Sequence, residues 1–216
     1  MTPKEFVRHV AALRSDAAFN PYSDRCATYD VPDAPQRRAS TLTQILEAAS
    51  AVEIDAIWIG RDLGHRGGRR TGLALTDDVN YRNHLRRWGV SVERPTVGTP
   101  VSERTAAVIW AILEEIDKHV FLWNVYPLHP HEPGNPFTNR SHTARERACG
   151  VEVLRQLIDM LKPKRLIAVG NDADGVLAKI SDSLETIKVR HPSYGGQAEF
   201  SRKIRVLYNV RGNRLL

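Results

Sequence analysis

Four polar side chains in this sequence each follow a short apolar run: Asp62, Asn124, Asn171 and His191. Ile54 to Ile59 stops at Gly60 and delivers Arg61-Asp62, and Val120 to Trp123 delivers Asn124. Arg165 to Val169 stops at Gly170 ahead of Asn171, and Thr186 to Arg190 delivers His191. A carboxylate can orient or deprotonate water, a carboxamide can both donate to and accept from a planar polar ligand, and an imidazole can donate to a developing anion. A glycine such as Gly60 beside them lets a ligand approach the backbone. Position alone leaves a second reading open for each: Asp62 as a turn or helix cap, Asn124 as an amide holding loop backbone, His191 as the partner of a neighbouring loop.

Apolar runs of this length, bounded by glycine, read as buried strands. Helical spacing of apolar residues covers 4–18, 41–52 and 103–118. A capping box at Thr143-Ala144-Arg145-Glu146 opens another helix, which Pro163 ends; a helix over 173–182 and a last one carrying Phe200, Ile204, Leu207 and Tyr208 follow. Tyr81 to Trp88 reads as a short basic helix. Strand and helix alternate after residue 40, which predicts an α/β fold: three layers, α/β/α, around a central, mostly four-stranded parallel sheet. Parallel strands present their carboxyl ends at one edge, so the four polar residues should converge there. Residues 20–38, with Pro32 and Pro35, read as irregular, and the Pro-, Gly-, His- and Asn-rich loop over 126–139 is long enough to carry function.

With 216 residues, the chain is expected to be one domain over 1–216, a monomer. The 31 Lys and Arg against 25 acidic residues give a net charge of +6, which suits a polyanionic partner. No run reaches membrane-spanning length and no signal-peptide pattern opens the chain, so a cytoplasmic protein with no membrane partner is expected. Cys26 and Cys149 form no CxxC pattern, which opposes a disulfide framework and a four-cysteine zinc or iron–sulfur site. His129-x-His131 lacks an evident third ligand, so no metal and no cofactor are expected. The basic loop Arg66-Gly67-Gly68-Arg69-Arg70-Thr71-Gly72 has glycines that favour phosphate contact, but not the Lys-Ser/Thr ending of a P-loop.

Three of these pieces, in order, resemble the uracil-DNA glycosylase superfamily. Gly60-Arg61-Asp62-Leu63-Gly64-His65 is similar to its first motif, and Leu122-Trp123-Asn124-Val125 resembles the strand carrying its base-reading asparagine. His191-Pro192-Ser193 matches the motif that opens its DNA-intercalating loop, and Gly68 to Gly72 is similar to a segment of several branches. The resemblance implies a monofunctional glycosylase, since no lysine stands in these motifs. It would flip uracil out of DNA, hydrolyse its N-glycosidic bond and release free uracil, leaving an abasic site. Asp62 and His191 would be catalytic, the first orienting water and the second donating to the uracil O2. Gly60, Asn124, Leu63, Leu75 and Phe137 would surround the base, with Phe137 or Tyr126 supplying the ring that Leu75 lacks at the family's stacking position. Arg69, Arg70 and Ser193 would hold phosphate, with Tyr194 or Gln197 as the wedge. Leu63 and Gly64 replace the proline and the thymine-excluding tyrosine of the prototype, and the iron–sulfur cysteines of some branches are absent, which marks a divergent branch. The alternatives are a nucleic-acid-binding protein of the same fold without turnover, and a glycosylase for other deaminated bases. A small-molecule hydrolase or nucleosidase is opposed by the charge and the loop after His191.

Overall fold

In the computed structural model, which describes residues 1–181 and 184–210, the chain runs through α1 (Pro3–Ala12), β1 (Ala18–Phe19), α2 (Ala34–Ser50), β2 (Ala56–Asp62), α3 (Gly68–Thr71), α4 (Tyr81–Arg87) and α5 (Arg104–Leu113). It continues through β3 (Val120–Tyr126), β4 (His129–Pro130), α6 (Ala144–Leu161), β5 (Arg165–Val169), α7 (Asn171–Ile180), β6 (Glu185–Val189) and α8 (Gln197–Leu207). The four long strands form one parallel sheet in the order β3-β2-β5-β6, as the alternation of strand and helix predicts.

Alternate strand residues feed two separate cores. Ile57, Ile59, Phe121, Trp123, Leu166 and Ala168 pack on one side with α1, α2, α6 and α7. Ala56, Trp58, Leu122, Ile167 and Val169 pack on the other with α5 and α8. Covering both faces is why these strands read as continuous apolar runs and not as alternating ones. The chain places β3 on one side of β2 and then returns to place β5 on the other. Strand order therefore reverses at β2, and a crevice opens beyond the carboxyl ends of β2 and β5, where open sheets of this kind bind ligands.

The boundaries differ where local chemistry was misread. α1 ends at Ala12, and Ala18–Phe19 pairs antiparallel with His129–Pro130 instead of extending the helix. α2 begins at Ala34, well before the expected residue 41, because Pro35 sits in its first turn, where a missing N–H breaks no helical bond. α5 stops at Leu113, short of 118. α7 starts at Asn171 behind Gly170, and residue 182, the expected end of that helix, lies outside the described residues.

Residues 20–38 are a brace. Asn20 donates to the Val10 carbonyl at the end of α1 (2.9 Å), and the Tyr22 hydroxyl donates to the Gly72 carbonyl (2.6 Å). Arg38, fully buried and ion-paired with Asp30, donates through Nε to the Arg70 carbonyl (2.8 Å). The glycine-rich loop is thus held from outside by a segment far from it in sequence. Among the described residues, no helix is long and apolar enough to cross a membrane.

Candidate active site

A cleft of about 470 Å³ occupies the crevice at the strand ends. Its walls include Asp62 and Leu63 from the end of β2, Leu75 from the glycine-rich loop, Asn171 at the start of α7, and His191 with Ser193 after β6. The convergence expected from the four apolar runs is present for Asp62, Asn171 and His191, while Asn124 lies deeper.

The Asp62 carboxylate is almost sealed from solvent, its side chain being 6% exposed. Both its oxygens are engaged. Arg61 Nε donates to Oδ2 (2.7 Å) and His142 Nδ1 donates to Oδ1. Arg61 is 40% exposed and also reaches Asp172 at 3.7 Å. Asp62 is therefore not a helix or turn cap: its partners are side chains, which hold an ionised carboxylate that would be costly to bury alone.

His191 is oriented by its own loop. The backbone N–H of Ser193 donates to Nδ1 (3.2 Å), and the Ser193 hydroxyl lies 2.6 Å from the same nitrogen. A backbone N–H can only donate, so Nδ1 is the acceptor and the ring proton sits on Nε2. Burial first, then the Arg61 charge, holds the His191 pKa below its ordinary value, against a smaller opposing pull from Asp172. The ring is a neutral N–H donor beside Asp62's cleft. Ser193, expected on phosphate, has its hydroxyl committed to this imidazole.

Asn124 is 1% exposed, and neither its Oδ1 nor its Nδ2 has a hydrogen-bond partner among the described residues. It stands directly across from Gly60 in the β2–β3 register. A Cβ at Gly60 would lie 2.5 Å from Asn124 Oδ1 and 3.0 Å from Leu75 Cδ2, so only glycine leaves room for the carboxamide and the leucine together. Leu75 holds a left-handed backbone (φ 53), and the Trp110 indole donates to its carbonyl (3.2 Å). Gly60, Leu75 and Asn124 are thus brought together, and Leu63 lines the same cleft as Leu75.

Other expected residues lie elsewhere. Arg69 and Arg70 are 3% and 6% exposed. Arg69 donates to the Tyr29 hydroxyl (2.8 Å) and stacks over the Phe19 ring (3.8 Å). Arg70 pairs with Asp78 (2.6 Å) and stacks over Tyr29 (4.1 Å). In place of the expected grip on phosphate, their guanidinium groups are buried and engaged as interior braces of the loop. Phe137 packs against Tyr29 and Arg69 outside the cleft, and Tyr126 is buried against His142, so neither ring is placed to stack on a base in the cleft. Tyr194 borders the cleft, 96% exposed, with φ 52, whereas Gln197 is the exposed first residue of α8.

His129 is a framework residue. Arg69 donates to its Nδ1 (3.1 Å) while its Nε2 meets the Thr138 carbonyl (2.8 Å). Burial and then the Arg69 charge push its pKa down to about 3. Among the described residues, no group of three or more His, Cys, Asp or Glu is arranged to hold a metal.

Three residues at the site escaped the sequence reading. Arg61 and His142 flank Asp62, and Glu103, just ahead of α5, puts its carboxyl into the cleft wall. A Cβ at Gly64 would lie 2.8 Å from Glu103 Oε1, so the carboxyl occupies the space a side chain at position 64 would take. Burial first and the Asp77 charge second push the Glu103 pKa up to about 7, against a smaller opposing effect of Arg66. The signal for His142 was its place directly before the Thr143 capping box, which fixes where the long loop ends.

A family model described as the uracil DNA glycosylase superfamily matches residues 50–209. No curated protein matches the chain in sequence. Among solved structures, the crystal structure of wild-type Pedobacter heparinus SMUG2 matches with a TM-score of 0.66. The match covers 96% of this chain and 97% of that one at 13% identity, a shared fold carried by few shared residues.

Proposed function

The chain belongs to the uracil-DNA glycosylase superfamily, a family of DNA glycosylases, and from that premise we propose that it is a monofunctional enzyme removing uracil from DNA. The observation that carries this reading is the pairing of a solvent-poor carboxylate, Asp62, with a neutral imidazole donor, His191, on the walls of one cleft. Water held by Asp62 attacks C1′ of the flipped nucleotide. The new C1′–O bond forms as the C1′–N1 bond breaks, and the bonding pair leaves with the base. One water proton passes to the Asp62 carboxylate. His191 Nε2–H donates to the oxygen on which the leaving base gathers charge, and the base then takes a proton from solvent. Asn124, whose amide has a donor and an acceptor free, supports recognition of the uracil edge, since cytosine offers a different pattern. Tyr194, exposed and in a strained backbone conformation, is the better candidate for the wedge than Gln197.

A second reading, acceptance of other deaminated bases, is favoured by one observation. Among the described residues lining the cleft, Tyr194 is the one Phe, Tyr or Trp, and it is 96% exposed, so no large ring fixes the size of the base from within. The test is incubation with single- and double-stranded oligonucleotides carrying uracil, hypoxanthine or xanthine, followed by alkaline cleavage of abasic sites. Strand breaks at uracil alone support the first reading, breaks at all three the second. No breaks with any substrate would leave a DNA-binding protein without turnover.

A further inference from the structure

We propose that His142 is the positioning residue of this site, fixing the Asp62 carboxylate so that one oxygen faces the water; the inference rests on the glycosylase reading above. With one donor on each oxygen the Asp62 carboxylate still has lone pairs free for water, so where that water sits depends on which partner holds the carboxylate still. The two partners differ in what restrains them. Arg61 is 40% exposed, lines the cleft, and has a second carboxylate, Asp172, at 3.7 Å. It is the partner free to turn toward an incoming phosphate, leaving the Asp62 carboxylate to the His142 N–H and the water.

His142 has no such freedom. Its side chain is 4% exposed, and its Nδ1 has Asp62 as its one hydrogen-bond partner among the described residues. Its ring meets Tyr126 at 6.1 Å, and Tyr126 is the residue paired with Asp62 across the sheet. The backbone around it is clamped on both sides. Arg140 donates to both oxygens of Glu146 (2.7 Å each), and Glu146 closes the capping box with the Thr143 N–H (2.7 Å). Residues 140–146 thus form a closed frame with His142 inside it. A carboxylate can only accept, so Asp62 keeps the His142 proton on Nδ1, and that bond pins Oδ1. Oδ2, on the side of the more exposed Arg61, is the oxygen that then faces the water.

The experiment is single-turnover excision from a uracil duplex with enzyme in excess, alongside affinity for a duplex carrying 2′-fluorinated deoxyuridine, whose glycosidic bond resists cleavage. H142F keeps the ring volume without the donor, and H142N places an amide N–H near the lost Nδ1. H142F is expected to lower the single-turnover rate about 10- to 100-fold, the range seen when an orienting partner of a metal ligand is removed, with duplex affinity within about threefold of wild type. H142N should recover most of that loss, an outcome a purely structural role would not give. On a D62N background, H142F should cost little more, because it acts through Asp62. A wild-type rate in H142F would overturn the proposal, as would an undiminished loss on the D62N background or a failure of H142N to recover. If wild-type protein excised no base at all, the glycosylase reading itself would fall; normal excision with an indifferent His142 would remove the positioning role alone.

Discussion

Asp62 ends β2 and Asn124 lies two residues before the end of the neighbouring β3, and both are nearly sealed from water. Among the described residues, one has a partner on each oxygen and the other has none. An ionised carboxylate in a solvent-poor place must be compensated, because the alternative is to neutralise it. A neutral carboxamide can be left unpaired at a cost of about 1–3 kcal/mol. Asp62 is thus a reagent whose surroundings are complete before substrate arrives, whereas Asn124 is complete only when a planar polar ligand supplies its missing bonds. The fold holds the first rigid and keeps the second waiting.

The widest separation between the two residues should come from removing the reagent. Asp62→Asn is expected to slow single-turnover excision by about 10²- to 10⁴-fold, the usual contribution of a positioned acid–base group, with affinity for uncleavable duplex little changed. Near-normal excision would remove Asp62 from the chemistry and with it the contrast.

Asn124→Leu tests the opposite residue through a trade-off. Excision of uracil should fall by about 100-fold, since a base that expects hydrogen bonds would meet an apolar wall. The free protein should become more stable, by about 1–2 kcal/mol, because two unpaired polar atoms are removed from the interior at nearly constant volume. Thermal melting measures this directly. A lower melting temperature in N124L would mean that the carboxamide is satisfied in the resting protein and is not waiting for a ligand.

The comparison also marks what could be read from sequence. Asp62, Asn124 and His191 were legible because each follows an apolar run whose termination depends on nearby residues. The sheet was legible for the same reason. Arg69 and Arg70 misled because a basic, glycine-spaced loop looks the same whether its side chains point to solvent or inward. What turns them inward is Phe19, Tyr29 and Asp78, and the first two come from the segment 20–38 and the short strand before it. Pro32 and Pro35 made that segment look irregular. His142 had only the neighbouring capping box to mark it, for a related reason: its one hydrogen-bond partner among the described residues lies 80 residues earlier in the chain. Pairings between loops leave no periodicity, so the strand ends could be found and their second neighbours could not.

Arg61 sharpens the Asp62 side at a smaller scale. If its guanidinium leaves Asp62 for phosphate, Arg61→Gln should reduce the slope of log affinity against log salt by about 0.9, the value for one lost phosphate contact on duplex DNA. Anisotropy titrations across a salt series would read it. An unchanged slope would mean that Arg61 stays on Asp62 in the complex, and that the water binds the carboxylate beside it.

Glu103 gives the smallest effect and belongs with Asn124. Its carboxyl faces the cleft with no side-chain hydrogen bond or ion pair among the described residues. Burial and the Asp77 charge push its pKa up to about 7, above its ordinary 4.5. The folded protein therefore binds this proton more tightly than the unfolded chain does. The resulting stability is fully present below about pH 4.5 and is lost as pH rises through about 7. Because the group is partly open to solvent, its share is screened to about 1 kcal/mol, or about 2–4 °C of melting temperature in a chain of this size. Melting curves from pH 5 to pH 8 should fall by that amount relative to Glu103→Gln, which keeps the volume and cannot ionise. Parallel curves would show that Glu103 is already paired, and would leave Asn124 as the clearer case of a polar group held in reserve.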